Sequence, residues 1–507
     1  MKHFLVSKQK ITLFFWVLVS LLIIEGASFS SYFNPLVGIV VGGIIVLATL
    51  VISLKSISNG LLVVVAELLL GSQGYLFSFD IAGSTISLRI ALWIIVMGVW
   101  ISNLIGQFLR DKNFNNIFKN IPYQKPLVFL LSVLGFGVIV GLLSGNNQLF
   151  FFLELKRWLY ILILFPFITS FRSTEELSKL FTVIVSAIVA LCIKVLLLIY
   201  IFSHSFLPLV YDVYGWMRQN LLGEITRWPS GFSRIFMQSQ IFLLPGVTAF
   251  FLAMYTKIQN PQLLYRKKFF GIMVVTLSCF SVIIASLSRS FWLGAIIGVI
   301  VTAICYIAVY RPHIKKILGF CLVLGGTVVV STALLFAVVR FPFPKPSANI
   351  DASLLTDRAI KMEAGAASRW SLLPVMWQEI KKSPFFGYGF GKSLTYKTYD
   401  PRIVATGSNG LYTTYAFEWG WLDIWLKFGL LGLIAYGWLL WLLCQDAFKL
   451  LKKEGLVGSV ILFSLVSLVT VHFFTPYLNH PLGFGYLALI IVFLESRKNS
   501  HLSFAQN

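Results

Sequence analysis

The sequence predicts an all-α protein, a polytopic transmembrane helical bundle of about 12–14 spans with one large extracytoplasmic loop domain. Hydrophobic residues make up 58% of the 507-residue chain and charged residues only 12%, against roughly 45–50% apolar residues in soluble domains. Apolar runs of about twenty residues, the length of helix that crosses a bilayer, recur along the chain. One segment, 340–419, is much longer than the usual connection between helices.

The apolar runs indicate helices, because alternating segments of about ten residues, which are typical of barrel strands, are absent. Short polar breaks separate the apolar runs. About fourteen of these runs are long enough to be membrane spans by the twenty-residue criterion. The predicted spans are 11–29, 36–54, 60–79, 86–106, 126–144, 150–170, 178–202, 235–255, 269–288, 291–310, 317–339, 420–445, 456–475 and 481–495.

These spans divide the chain into four regions. Residues 1–202 form the N-terminal transmembrane helices, and residues 203–339 form central helices that begin with an outer loop at 203–234. Residues 340–419 form the large extracytoplasmic loop domain. Residues 420–507 form the C-terminal transmembrane helices and a short cytoplasmic tail.

Lysine and arginine are distributed unequally between the two sides of the predicted spans. The breaks on one side carry clusters such as Lys449, Lys452 and Lys453, whereas the short opposite breaks 145–148 and 476–479 contain none. The positive-inside rule therefore places the basic side, and both termini, in the cytoplasm. In a soluble protein, a net charge of +22 would suggest a nucleic-acid partner. Here the basic residues are explained by their position on one side of the membrane, so we expect no nucleic-acid partner.

The long segment 340–419 contains a predicted helix followed by a turn. The apolar face of the helix comprises Trp370, Leu373, Val375, Met376, Trp377 and Ile380. The helix stops at Ser383-Pro384, and the turn that follows is punctuated by Gly387, Gly389 and Gly391. We expect a functional site beside this domain.

Arginines near the outer ends of the spans are candidate anion ligands. Arg289 lies between two apolar runs, where a cation is costly unless it has an anionic partner or a wet cavity; the alternative is snorkelling to a lipid phosphate. Arg234 lies at the mouth of a span and Arg369 opens the loop helix. Arg227 is a further candidate ligand, although loop arginines such as Arg218 and Arg227 are, taken singly, more often merely solvated. Because guanidinium forks match phosphate oxygens, converging arginines would hold a pyrophosphate.

Three other residues are candidates for proton transfer. Glu418 lies between tryptophans where the loop re-enters the membrane, and a partly desolvated carboxylate there is either a general base or an interfacial acid paired with a cation. His472 and His480 lie at the outer end of a span and just after it. Each is either a proton shuttle or a structural histidine.

Other classes of function leave different signals. No GxxxxGK[ST], HExxH or GxSxG motif is present, which disfavours a nucleotide-driven pump, and no residue spacing indicates a metal site. One class that the sequence leaves open is a secondary transporter or flippase of an anionic or lipid-linked substrate. Glu67, Lys194 and a broken span at 71–74 would line its path. Another open class is a scaffold in a polysaccharide export assembly.

Four motifs together resemble the bacterial O-antigen ligase and O-antigen polymerase family of membrane glycan transferases. They are Ser288-Arg289-Ser290, Ser368-Arg369-Trp370, the turn Pro384–Gly391 and Gly429-Leu430-Leu431-Gly432, and the similarity covers mainly residues 230–440.

The resemblance implies a multi-pass protein of the bacterial inner membrane that acts in surface polysaccharide biosynthesis. It implies transfer or polymerisation of saccharide from an undecaprenyl-pyrophosphate-linked donor to a saccharide or lipid acceptor, without metal or cofactor. The lipid bilayer and polysaccharide assembly proteins would be its partners.

The chain departs from the family pattern at one position. Family ligases have a histidine eleven residues before the GxxG element, and here that position is Glu418. This difference favours a polymerase or another glycan transferase in which Glu418 replaces the base. Alternatively, Ser408-Asn409 occupies the place of a histidine-asparagine pair, which leaves the base unassigned.

Overall fold

The computed structural model describes residues 8–504 except 82, 113–120, 205, 229, 261, 263–266, 349–363 and 406–408. Helices dominate this part of the chain, and eleven of those described are long and apolar enough to cross a membrane. The predicted all-α polytopic class is therefore confirmed. Ser408, one half of the alternative histidine-asparagine position, lies outside the described residues.

The N-terminal region consists of helices and one hairpin. The helices are α1 (Lys8–Phe33), α2 (Pro35–Lys55), α3 (Ile57–Leu70), α4 (Leu88–Asp111), α5 (Gln124–Leu143), α6 (Gln148–Trp158), α7 (Leu164–Ser170) and α8 (Thr174–His204). The antiparallel hairpin of β1 (Ser78–Ile81) and β2 (Ser84–Ser87) precedes α4. The tight turn between α1 and α2 follows from Asn34, whose side chain caps α2 by accepting from the Leu36 amide, and from Pro35 at the first helical position.

The central region begins with a short helix and a second hairpin. Its elements are α9 (Leu209–Gln219), β3 (Glu224–Arg227), β4 (Ser233–Phe236), α10 (Leu243–Ile258), α11 (Lys267–Ala285), α12 (Arg289–Tyr310) and α13 (Ile314–Val339). A 3-10 turn, Gln238–Phe242, leads into α10. Helices α10 and α11 pack together, and α11 packs against α13.

The last region contains the loop and the C-terminal helices. Its elements are α14 (Ala364–Lys382), β5 (Leu394–Lys397), α15 (Pro401–Val404), β6 (Leu411–Thr414), α16 (Gly420–Lys453), α17 (Gly455–Phe474) and α18 (Pro481–Phe504). Helix α17 packs against both α12 and α16. We call the side of the bundle that carries α14 and the β5–β6 hairpin the loop face.

Two predicted spans differ from the helices observed, and a third lies in a helix that is not among the candidate spans. The span 60–79 is wrong in extent, because α3 ends at Leu70 with Gly71 as its cap and a turn follows. The span 150–170 is not one helix but α6, a 3-10 turn and α7. The span 481–495 lies in α18, a 24-residue helix that carries Glu495, Arg497 and Lys498 in its second half and is not among the eleven candidate spans.

The predicted loop helix is present, but its buried face differs from the predicted one. Leu372, Met376 and Ile380, spaced four residues apart, are buried against α16, whereas Trp370 and Trp377 are 53% and 42% exposed. The helix ends at Lys382, directly before Ser383-Pro384 as predicted. The difference arises because the face that packs on a neighbour is set by tertiary contacts and not by apolar spacing alone.

The glycine turn after α14 fixes the loop to the transmembrane helices. The amides of Tyr388 and Gly389 donate to the carbonyls of Leu426 and Lys427 in α16, at 3.0 and 2.8 Å. Just beyond, Gly429 has φ 64° and ψ −161°, a break in α16 that only glycine adopts readily. The turn therefore packs into a kink of a membrane helix.

Candidate functional site

A cavity of about 850 Å³ opens at the loop face, between the loop and the ends of the membrane helices. Five arginines from separate stretches of the chain line it among the described residues: Arg157, Arg218, Arg234, Arg289 and Arg369. Glu418 and His480 also line it. This volume lies within the usual range for small-molecule sites, about 300–1,000 Å³.

Arg234 is held rigidly at one wall of the cavity. Its Nε donates to the Ser286 carbonyl oxygen at 2.7 Å, and its guanidinium lies 4.9 Å from the centre of the Phe236 ring. Glu224, which is largely exposed, is 3.9 Å from its Nη1. Because the Ser286 carbonyl belongs to the turn before α12, this contact brings the β3–β4 hairpin beside Arg289.

Arg289 is the first residue of α12, directly after the N-cap Ser288. The preceding residue, Leu287, has a positive φ of 46°, so the chain turns sharply between α11 and α12. A helix N-terminus presents unpaired amide groups and the positive end of the helix dipole. An arginine at this position adds a full charge to a place that already favours anions.

Arg369 and Glu418 form an ion pair between α14 and the segment that re-enters the membrane. Both side chains are partly exposed, at 38% and 51%. The indole of Trp419 donates to the Arg369 carbonyl oxygen at 2.9 Å, which fixes α14 against the start of α16. The structure thus brings together two of the residues that the sequence singled out, each neutralising the other.

Arg157 and Arg218 line the same cavity, although neither was favoured as a ligand from the sequence. Arg157 lies in α6 with its guanidinium 5.5 Å from the centre of the Tyr415 ring. Arg218 is exposed in the last turn of α9. In the sequence, Glu154, Lys156 and Arg157 together are either intramembrane charges on a pathway or the caps of an outer helix end, and the structure places Arg157 at the cavity.

A second charged group lies at the cavity, and the sequence does not show that its members meet. Lys427 forms ion pairs with both Glu154 and Asp423, and all three residues line the cavity. The one signal in the sequence was the i,i+4 spacing of Asp423 and Lys427 in an apolar helix. Within the described ranges, no cluster of three or more His, Cys, Asp or Glu side chains is arranged to hold a metal ion.

The remaining sequence candidates lie in different environments. Arg227 is exposed in β3 and is not among the cavity residues. His472 is fully buried in α17, where its Nδ1 accepts from the Leu478 amide at 3.1 Å, and it is not among the cavity residues either. His480 does line the cavity, and its Nδ1 accepts from the Leu482 amide at 3.3 Å.

The electrostatics of His480 follow from its surroundings. Burial, together with the nearby cations Arg89 and Arg157, lowers the pKa of the His480 ring well below its usual 6.5. The ring is therefore neutral near pH 7. Any part that His480 takes in proton transfer starts from the neutral imidazole.

Glu67 and Lys194, the charged residues that would line a transport path, each form a buried ion pair. Glu67 pairs with Arg89 through two hydrogen bonds of 2.8 and 3.0 Å, and Lys194 pairs with Glu25 at 2.8 Å. None of these four side chains is among the residues that line the cavity. Their contacts are those of charges that hold helices together.

The fold and site define a polytopic helical membrane protein with an arginine-lined cavity at one face. Residues 272–437 match the O-antigen ligase family. This match, which includes Arg289, Arg369 and Glu418, supports assignment to the O-antigen ligase and polymerase family, a class of glycan transferases. Comparison with curated proteins gives no match, and neither does comparison with solved structures.

Proposed function

We propose that the protein transfers or polymerises saccharide from an undecaprenyl-pyrophosphate-linked donor, in the manner of an O-antigen ligase or polymerase. The observation that supports this most directly is the convergence of five arginines on one cavity at the ends of membrane helices. A lipid-linked pyrophosphate has the matching chemistry, an anionic head on an apolar tail. We further propose that the loop face is extracytoplasmic, since the basic breaks lie on the other side.

In this proposal, the donor enters from the bilayer with its pyrophosphate held by Arg234, Arg289 and Arg369. An acceptor hydroxyl attacks the anomeric carbon, so a new glycosidic bond forms while the bond from that carbon to the phosphate oxygen breaks. The lipid pyrophosphate leaves with the bonding electron pair, and the arginines stabilise its charge. Such preorganised electrostatic stabilisation is often the largest single contribution to catalysis.

Glu418 takes the proton of the acceptor hydroxyl in the proposed reaction. In the structure this carboxylate is paired with Arg369, so it is not available while that pair is closed. The donor pyrophosphate competes for Arg369, because guanidinium binds phosphate bidentately. Donor binding would therefore release the base at the moment it is needed, without metal or cofactor.

The proposal is tested by assaying glycan transfer with the purified protein and a lipid-linked saccharide donor. Arg289→Ala and Arg369→Ala should each lower kcat/KM by about 10²- to 10³-fold, the usual cost of losing one stabilising donor. Arg227→Ala is the matched control, because this arginine belongs to the same outer region but is not among the cavity residues. It should leave transfer unchanged.

Equal transfer by the wild-type protein and both cavity variants would contradict the proposed site. A wild-type protein that moves the lipid-linked glycan between leaflets of proteoliposomes, yet forms no glycosidic bond, would contradict the proposed reaction. That second result would favour the transporter or flippase.

A further inference from the structure

The ion cluster of Glu154, Asp423 and Lys427 lies at the wall of the cavity and is almost completely buried. Its side chains are 4%, 1% and 1% exposed, respectively. Glu154 belongs to α6, and the other two belong to α16, which is one of the candidate membrane spans. Buried charges are costly unless they are paired and hydrogen-bonded, so the lysine has to remain between the two carboxylates.

The lysine of this cluster also holds the chain that carries Glu418. Lys427 Nζ donates to the Tyr415 carbonyl oxygen at 3.1 Å and lies 5.2 Å from the centre of the Phe417 ring. These two contacts fix the residues immediately before Glu418. A residue of α16 therefore helps to position this stretch, in addition to the exposed ion pair between Glu418 and Arg369.

The two carboxylates hold two further walls of the cavity. Asp423 accepts a hydrogen bond from the side-chain amide of Asn479, which lies in the segment 476–480 between α17 and α18. Glu154 accepts from the Gly391 amide at 2.9 Å, which fixes the glycine turn of the loop. One cluster thus joins α6, the loop turn, the re-entry segment, α16 and the segment before α18.

We infer that Glu154, Asp423 and Lys427 act as positioning residues that set Tyr415–Glu418 and Pro476–His480 in the geometry for glycan transfer. This inference rests on the proposed function for its kinetic consequence, but the positioning itself is a property of the fold. The three residues of the cluster are not proposed to touch the reacting atoms. A displacement of about 1 Å at a reacting group costs on the order of 10²-fold in rate. Loss of the positioning should therefore lower kcat.

The other buried ion pairs provide the contrast. Glu25 with Lys194 and Glu67 with Arg89 are one-to-one pairs, and none of the four residues lines the cavity. The cluster around Lys427 differs from these two pairs, because it combines two acids with one base and contacts segments of the cavity wall. An ion pair that only stabilises the fold would be expected to resemble the pairs of Glu25 with Lys194 and Glu67 with Arg89.

The test compares Asp423→Asn with Glu25→Gln in the full-length protein. Asp423→Asn keeps the shape and leaves Lys427 balanced by Glu154, so folding is expected to survive. Transfer kcat should fall by about 10- to 100-fold, with the KM for the lipid-linked donor within about twofold. Hydrogen exchange of the amides in 411–419 and 476–480 should increase.

Glu25→Gln, which disturbs a buried pair that does not line the cavity, should lower thermal stability without changing kcat or exchange in those two segments. An unchanged kcat and unchanged exchange in Asp423→Asn would overturn the inference. So would an equal loss of kcat in Glu25→Gln, because that would trace the effect to stability alone. Absence of transfer by the wild-type protein would sink the proposed reaction only, since hydrogen exchange still tests the positioning.

Discussion

Glu418 and Arg369 form an ion pair, and this pairing makes their roles separable by mutation. Glu418→Gln removes the proposed base but also frees Arg369 for the donor pyrophosphate. We expect kcat to fall by about 10²- to 10⁴-fold, the usual contribution of a general base, while the KM for the donor stays the same or decreases. Steady-state kinetics with varied donor concentration measures both.

Glu224→Gln is the control for this change. Glu224 also lines the cavity and lies near an arginine, Arg234, but the proposed mechanism gives it no proton to accept. Its variant should retain nearly full kcat. If Glu418→Gln behaved in the same way, Glu418 would be an interfacial acid paired with a cation, the alternative that the sequence left open.

His480 gives the protein a predictable dependence of stability on pH. Because its pKa in the folded state lies well below the usual 6.5, the unfolded chain binds more protons than the folded one as the pH falls below about 6.5. The stability that the neutral ring contributes is present above that pH and is lost progressively on acidification. The thermal midpoint of the wild-type protein should therefore fall more between about pH 7.5 and 5.5 than that of His480→Gln. Equal falls in the two proteins would show that another group is responsible.

At the scale of residues, the sequence could predict a functional position for those cations that lie within or at the end of an apolar run, where an unpaired charge is energetically costly. Arg289, between two apolar runs, and Arg234, at the mouth of a span, both line the cavity. Lys427 could not be predicted in the same way, because its partner Glu154 is far from it in the chain. The meaning of a buried charge depends on its partner, and the sequence does not show which partner the fold supplies.

The glycine turn shows how an element is positioned by close backbone packing. Helix α5 contacts this turn through Gly141, where an added Cβ atom would lie 2.7 Å from both the backbone nitrogen and the backbone oxygen of Phe390. Gly141→Ala should therefore destabilise the protein by about 1–3 kcal/mol, the usual cost of overpacking. Thermal unfolding in detergent, with transfer activity alongside, measures the effect.

Gly135→Ala in the same helix is the matched control, because no atom lies within 4 Å of its added Cβ. It should be neutral or slightly stabilising, since alanine favours helix. A loss of stability equal to that of Gly141→Ala would mean that helix composition, and not docking of the turn, is responsible.

At the scale of elements, apolar length predicted spans well where a helix runs unbroken through the bundle. It failed at 60–79, where the helix ends at Leu70 with Gly71 as its cap, and a turn and a β hairpin follow. It also failed at 150–170, where the passage is divided by a 3-10 turn. Both failures concern helices at the cavity, since Gln73 and Glu154 line it, and a cavity in a membrane protein is where irregular backbone is tolerated.

The whole molecule has two chemically different faces. The loop face carries the cavity and the β5–β6 hairpin, whereas α16 ends at the opposite face in Lys452 and Lys453. The sequence predicts two different sides from the length of the loop and the distribution of basic residues, since both are visible without a fold. The sequence predicted that Arg234, Arg289 and Arg369 converge, but it did not show that Arg157 and Arg218 join them at the same cavity, since that depends on how distant helices pack.

The proposed orientation can be tested on intact cells with a membrane-impermeant thiol reagent. Lys397→Cys introduces a thiol on the exposed hairpin of the loop face, and Lys453→Cys introduces one at the exposed end of α16. If the loop face is extracytoplasmic, Lys397→Cys should be labelled directly, whereas Lys453→Cys should be labelled only after permeabilisation. Labelling of both variants after permeabilisation is the control for accessibility. The reverse pattern would put the cavity in the cytoplasm, where the positive-inside rule would not apply to this chain, and a donor presented on the outer leaflet would have no access to it.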